Sequence, residues 1–269
     1  MTNELDPCLA ARAMLARLEH GNPVLALGVR HSRGTDIARI ARSTGHQIIW
    51  VDLEHSTMSI EMAGMICATA ADVGLVPLVR VPEREYGVIG RLLDGGALGI
   101  IAPRIETAHQ AEDIVAACKF PPRGHRSAIG TLPLADFKRL PAEQFNETMN
   151  NATLIKVLIE SPLGIDNAAA IAAVPGVDIV GIGTNDLAAE LGVAGNFRHP
   201  KVRQAHERAL AACRAAGKPL AIGGIGDAAY AVELIRLGAA PFIFTGIDGD
   251  LLLGAVHDRV RQSLDSFKR

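Results

Sequence analysis

Apolar residues gather into eight short runs along the chain, at 24–29, 47–53, 75–79, 98–102, 154–159, 178–182, 220–222 and 241–244. Their brevity, their richness in Val, Ile and Leu and the Gly, Pro or charged residues that end them mark buried strands. Between them the apolar positions recur every three or four residues, as a helix with one buried face requires. Helices are expected at 9–19, from Thr35 or Asp36, at 59–72, 85–93, 107–118, 164–173, 201–216 and 227–237, and along the C-terminal stretch. Strand and helix alternate from end to end with no second composition zone. This pattern predicts one domain over 1–269, an α/β (β/α)8 barrel, in preference to an open doubly wound sheet. The beat breaks once, at 120–151, where Pro and Gly crowd the start of a long insertion before strand five. Such connections serve as lids, binding loops or subunit contacts, and Arg123, His125 and Arg126 are assigned to that role.

In a barrel of this kind the residues just past each strand converge at one end, where ligands bind. Here that gathers Asp52, Glu54, His55, Arg80, Glu160, Asn185, Asp186 and the Gly223-Gly224 backbone, with Asp94 at the rim. Glu160 ends strand five, and Asp186 follows strand six by a few residues. Two acids brought together repel unless a cation lies between them, and oxygen ligands suit a hard divalent ion. With such an ion the pair could chelate a 2-oxoacid and stabilise the charge formed when a proton at C3, or the C3–C4 bond, is lost. Arg80 could hold charge on the keto oxygen. The amides of Gly183, Thr184 and Asn185 suit a carboxylate, and His55 is the natural proton carrier, with Asp52 or Asp94 able to raise its basicity.

Each of these has a structural rival. Glu160 and Asp186 could cap helices, Arg80 could simply bridge to Glu54, Asp94 could cap a helix end, and Gly223-Gly224 could make a tight turn rather than a phosphate cradle. Lys156 stands mid-strand; if it points inward, a lysine-based aldolase survives as a minor option.

Composition narrows the partners. A net charge of -2 without runs of like charge argues against nucleic acid or an anionic membrane and favours small metabolites. Cys8, Cys67, Cys118 and Cys213 are scattered without CxxC spacing, and the last three fall in helical patterns, so a reducing cytoplasm is the simplest compartment. The N-terminus carries acids early and lacks the order of a secretory signal, and no apolar run approaches the ~18 residues of a membrane span. The nine histidines lack HxxxH spacing, which leaves little support for a histidine-and-cysteine metal site.

Six segments together resemble the HpcH/HpaI aldolase/citrate lyase family, in particular its class II pyruvate aldolases. They are VDLEHS (51–56), PLVRVP (77–82), LLDGGALGIIAPRIETA (92–108), KFPPRGHRS (119–127), VLIES (157–161) and GIGTNDLAAELG (181–192), and the likeness spans 24–253. The resemblance implies a β/α barrel, hexamers built from dimers that exchange a C-terminal helix, and Mg2+, Mn2+ or Co2+ as cofactor. It implies Glu160 and Asp186 as metal ligands, His55 as proton acceptor, Arg80 as transition-state stabiliser and Asp94 as the group raising the basicity of His55. Asp52 would support that histidine, and Arg80, Gly183, Thr184, Asn185 and Asp186 would contact substrate. Two departures stand out: Leu158 where the aldolases usually carry Gln, and Thr184 where the metal loop usually has Pro. Both point to a shifted substrate preference with the metal retained. The expected reaction is reversible cleavage of a 4-hydroxy-2-oxoacid to pyruvate or hydroxypyruvate plus an aldehyde. The rival readings are a CoA-thioester carbon-carbon lyase and a non-catalytic oxoacid-binding barrel.

Overall fold

The computed structural model describes residues 7–268. The acidic N-terminal stretch read above lies outside them, as does the side chain of Cys8. Eight parallel strands form a single sheet curled into a nearly closed barrel: β1 Val24–Val29, β2 Ile48–Asp52, β3 Val76–Arg80, β4 Gly99–Ala102, β5 Leu154–Ile159, β6 Ile179–Gly183, β7 Leu220–Gly223 and β8 Phe242–Ile247. Neighbours in sequence pair as neighbours in space, in the order β7-β6-β5-β4-β3-β2-β1-β8. Between β7 and β8 there is no ladder; one bond from the Ala240 N–H to the Leu220 carbonyl, 2.8 Å, draws that seam together.

The helices are α1 Pro7–Glu19, α2 Asp36–Ser43, α3 Ile60–Asp72, α4 Ile89–Asp94, α5 Ala108–Cys118, α6 Ala142–Ala152, α7 Pro162–Asp166, α8 Ala168–Ala172, α9 Thr184–Glu190, α10 Pro200–Ala215, α11 Ala228–Arg236 and α12 Asp248–Phe267. Two expected helices differ in detail. The 85–93 span opens as a 3-10 turn at Tyr86–Val88 before α4, and the 164–173 span breaks into α7 and α8 at Asn167, whose amide donates to the Glu106 carbonyl at 2.8 Å.

Strand alternation divides the side chains between two cores. Ile49 and Val51 of β2, Ile155, Val157 and Ile159 of β5 and Val180 and Ile182 of β6 face the helices. Val24, Ile48, Val76, Leu78, Leu154 and Ile179 instead share a cluster with α1 and the insertion, through Met14, Phe120, Phe145 and Met149. The insertion is therefore a plug. It joins the end of α5 to the start of β5, so it closes the barrel at the end away from the strand outlets, and within one chain it is not a lid over them. Arg126, expected on a lid or subunit contact, is buried within the chain, with its guanidinium 4.5 Å from the Phe120 ring and Nη2 donating to Asp94 at 2.7 Å. Cys67, Cys118 and Cys213 are buried free thiols, and burial pushes each up to about 12. Among the described residues no helix is long and apolar enough to cross a membrane.

Candidate active site

Because side chains alternate along a strand, the inward set of β2 is Ile48, Trp50 and Asp52, and that of β3 is Val76, Leu78 and Arg80. Parallel pairing sets Asp52 beside Arg80. The Arg80 guanidinium grips the Asp52 carboxylate at two points, Nε to Oδ1 at 3.0 Å and Nη2 to Oδ2 at 2.7 Å, while Nη1 reaches Glu54 at 2.9 Å. Arg30, just past β1, binds the same carboxylate from the other side, with Nε and Nη2 each 3.0 Å from Oδ2. Asp52 is fully buried, and burial alone would raise its carboxyl; the hydrogen bonds and charge of Arg80, with the His55 amide and Arg30, outweigh it and hold the group below its usual range. Arg80 rests against the Trp50 indole, 5.1 Å from the ring, and the indole needs Gly28 on β1, where a Cβ would stand 3.0 Å from it.

On β5 the inward set is Leu154, Lys156, Leu158 and Glu160. Glu160 is 4 % exposed, and Oε2 accepts the Arg104 N–H at 2.9 Å. That amide is aimed by a left-handed residue, φ 51° at Arg104, a costly backbone for a side chain of this size. Burial first, then the charges of Glu54 and Asp186, push the Glu160 carboxyl up to about 7. Gly183 at the end of β6 is required here, because a Cβ would overlap the Glu160 carboxylate. Asp186, in the first turn of α9, is exposed at the mouth and lines the same cavity as Glu160, His55, Arg80, Gly183 and Asn185. Its volume is about 230 Å³, small beside the ~300–1,000 Å³ typical of drug-sized ligands.

Most of the expected residues meet; Asp52 and Thr184 do so differently, and Asp94 does not. Asp52 was expected to support the His55 ring. Its carboxylate is occupied by two arginines and the backbone N–H groups of Glu54, at 3.1 Å, and His55, at 3.2 Å; the His55 ring lies 3.7 Å from Glu54 instead. Asp94 does not meet His55 within the chain. It ends α4, which runs back toward the start of β4, so it sits at the opposite end of the barrel and binds Arg126. Thr184 turns its side chain inward, Oγ1 3.1 Å from His206 Nε2, and leaves only its backbone at the mouth. Gly224 supports the turn reading: its φ is +75°, and a Cβ would lie 3.2 to 3.3 Å from the amide nitrogens of Asn185 and Thr184. Lys156 does point into the barrel and lines the cavity.

Arg30, Trp50 and Arg104 were not singled out in the sequence. Arg30 had a signal, its place just past a strand. Asp248, at the start of α12, fixes the Arg30 loop by accepting backbone N–H bonds from Arg30 at 3.0 Å and Ser32 at 2.6 Å. These bonds overcome burial and hold its carboxyl near 2. The amide of Arg104 leaves no trace in sequence, since any residue has one.

The fit of these residues to a divalent ion rests on two carboxylates, Glu160 and Asp186, that line one cavity. Among the described residues no group of three or more His, Cys, Asp or Glu gathers closely enough to hold a metal, so Glu160 and Asp186 would leave the remaining positions to substrate and water. The donors are all oxygen, as a hard cation prefers.

Comparison with known proteins identifies the family. The 4-hydroxy-4-methyl-2-oxoglutarate aldolase tasA of Hapsidospora irregularis is 38% identical over 238 residues, covering 86% of this chain and 87% of its own. The 5-keto-4-deoxy-D-glucarate aldolase of Escherichia fergusonii is 39% identical over 193 residues, 72% of each chain. Among solved structures, an HpcH/HpaI aldolase from Desulfitobacterium hafniense superposes with a TM-score of 0.83 at 28% identity, over 94% of this chain and 96% of that one. The family model for HpcH/HpaI aldolase/citrate lyase matches residues 31–255, and the chain belongs to that family, as one of its aldolases.

Proposed function

We propose that this aldolase cleaves 4-hydroxy-2-oxoacids reversibly to pyruvate or hydroxypyruvate plus an aldehyde, with a divalent ion such as Mg2+, Mn2+ or Co2+ held by Glu160 and Asp186. The observation that carries the reading is the Glu160 carboxylate, buried at a strand end with Glu54 and Asp186 acting on it. The ion, when bound, supplies Lewis-acid polarisation of the keto oxygen. Arg80, immobilised by Asp52 and Glu54, keeps N–H groups beyond the three already engaged to donate to that oxygen as charge grows. His55, exposed at the rim, takes the C4 hydroxyl proton directly or through water as the C3–C4 bond breaks. Asn185 and the backbone at 183–185 seat the substrate carboxylate.

A part for Asp94 in raising the basicity of His55 is open only across subunits. Assembly is supported by α12, which starts against β1 and β8 and in its twenty residues has none buried, leaving Leu252, Val256, Val260, Leu264 and Phe267 exposed. Such an apolar stripe suits exchange between paired chains in a hexamer.

The test is exchange of the pyruvate methyl protons into heavy water, followed by proton NMR with each of the three ions and with a chelator. Exchange that needs the ion is expected. Bound pyruvate that never exchanges would favour the non-catalytic barrel and sink the aldolase reading.

A further inference from the structure

The barrel interior holds a cation that the reaction just described does not use. Lys156, Leu158 and Glu160 follow one another on the inward face of β5, and all three line the cavity. The Lys156 Nζ lies 4.1 Å from the centroid of the Phe242 ring and forms no ion pair among the described residues. Room for it comes from across the ladder. Leu158 pairs with Gly181 of β6, where a Cβ would stand 2.9 Å from Lys156 Cε and 2.5 Å from Leu158 Cδ2.

A core that needed only to be filled would hold Leu or Met here. An ammonium taken from water without a carboxylate is costly, and its state reflects that cost: burial pulls it down to about 8, Arg80 adds to the effect, and Glu160 opposes it. An anion in the cavity supplies the missing partner. Leu158 stands nearer to Glu160 on the same face but carries no donor, so the donor on this strand is the longer side chain two residues deeper.

We propose that Lys156 is a substrate-binding residue, its ammonium donating from the barrel floor to one oxygen of the 2-oxoacid carboxylate whose other oxygen faces the 183–185 backbone, while Arg80 meets the keto oxygen. This rests on the aldolase reading above.

Lys156→Met keeps the length of the side chain and removes the charge. Pyruvate binding, with Mn2+ present, can be followed by the fluorescence of Trp50, the single tryptophan of the chain and a wall of this cavity. Pyruvate affinity should fall about tenfold or more, with Mn2+ affinity measured without pyruvate unchanged within ~2-fold. The double variant K156M/L158Q, which returns a donor to the same inward face, should recover part of the loss, as a merely structural lysine would not allow. Unchanged pyruvate affinity in K156M overturns the proposal, and so does equal loss of Mn2+. A borohydride-trapped adduct between Lys156 and pyruvate also overturns it, because the amine would then be a nucleophile. Acetic anhydride labelling of the wild-type chain reads the contact without a substitution: pyruvate should protect Lys156, and equal labelling with and without pyruvate is a contrary result. If the wild type binds no pyruvate, this inference and the aldolase reading both fall. If it binds and exchanges pyruvate while K156M matches it, only this inference does.

Discussion

Asp52 and Arg80 occupy paired positions at the ends of β2 and β3 and join through two hydrogen bonds of 3.0 and 2.7 Å, with the aspartate out of contact with solvent. The pairing is unequal in its dependence. Asp52 keeps Arg30 and two backbone N–H groups if Arg80 is lost, whereas loss of Asp52 leaves Arg30 without its carboxylate and Arg80 with Glu54 alone. Asp52→Ala should therefore lower stability to urea by roughly 3–5 kcal/mol, the cost of breaking a buried pair from one side. Arg80→Met should lower it less, while reducing kcat by roughly 10²–10³-fold. Equal unfolding midpoints for the two variants would contradict this asymmetry.

Metal binding and proton transfer should separate by residue. Glu160→Gln removes a proposed ligand and should abolish Mn2+ binding seen by electron paramagnetic resonance. His55→Ala should retain Mn2+ and lose turnover by roughly 10²–10⁴-fold. Loss of metal in both variants would contradict the assigned roles.

His206 gives a pH dependence to the floor of the α9 loop. It is fully buried, its Nε2 meets Thr184 Oγ1, and burial pulls its ring down to about 4 from an ordinary 6.5. The fold thus favours the neutral ring. Its contribution is complete above pH ~6.5 and is lost as pH falls through about 4, up to roughly 3 kcal/mol across that window. Urea unfolding of the wild type should weaken over this range by more than that of His206→Gln. Parallel curves for the two proteins would remove His206 from the account.

The exposed stripe on α12 predicts an assembly that depends on it. Val256→Asp with Val260→Asp should leave the barrel folded, since both residues are outside its core, but reduce the mass measured by light scattering. An unchanged mass would show that the stripe is not a contact.

The sequence alone determined the barrel, because a strand buried on both faces needs an apolar run and each crossover needs a helical stripe, and both are local patterns. It also placed Glu160, Asp186, His55 and Arg80 at one end, since the outlets of parallel strands converge wherever the chain closes. Tertiary structure decided which side chains touch. Register brought Arg30 and Arg80 onto Asp52, helix direction sent Asp94 to the far end, and the connection into β5 made the insertion a plug. The inward turn of Lys156 and the amide that Arg104 gives to Glu160 were settled there too. These are contacts between residues far apart in the chain, and local spacing carries no record of the register and packing that create them.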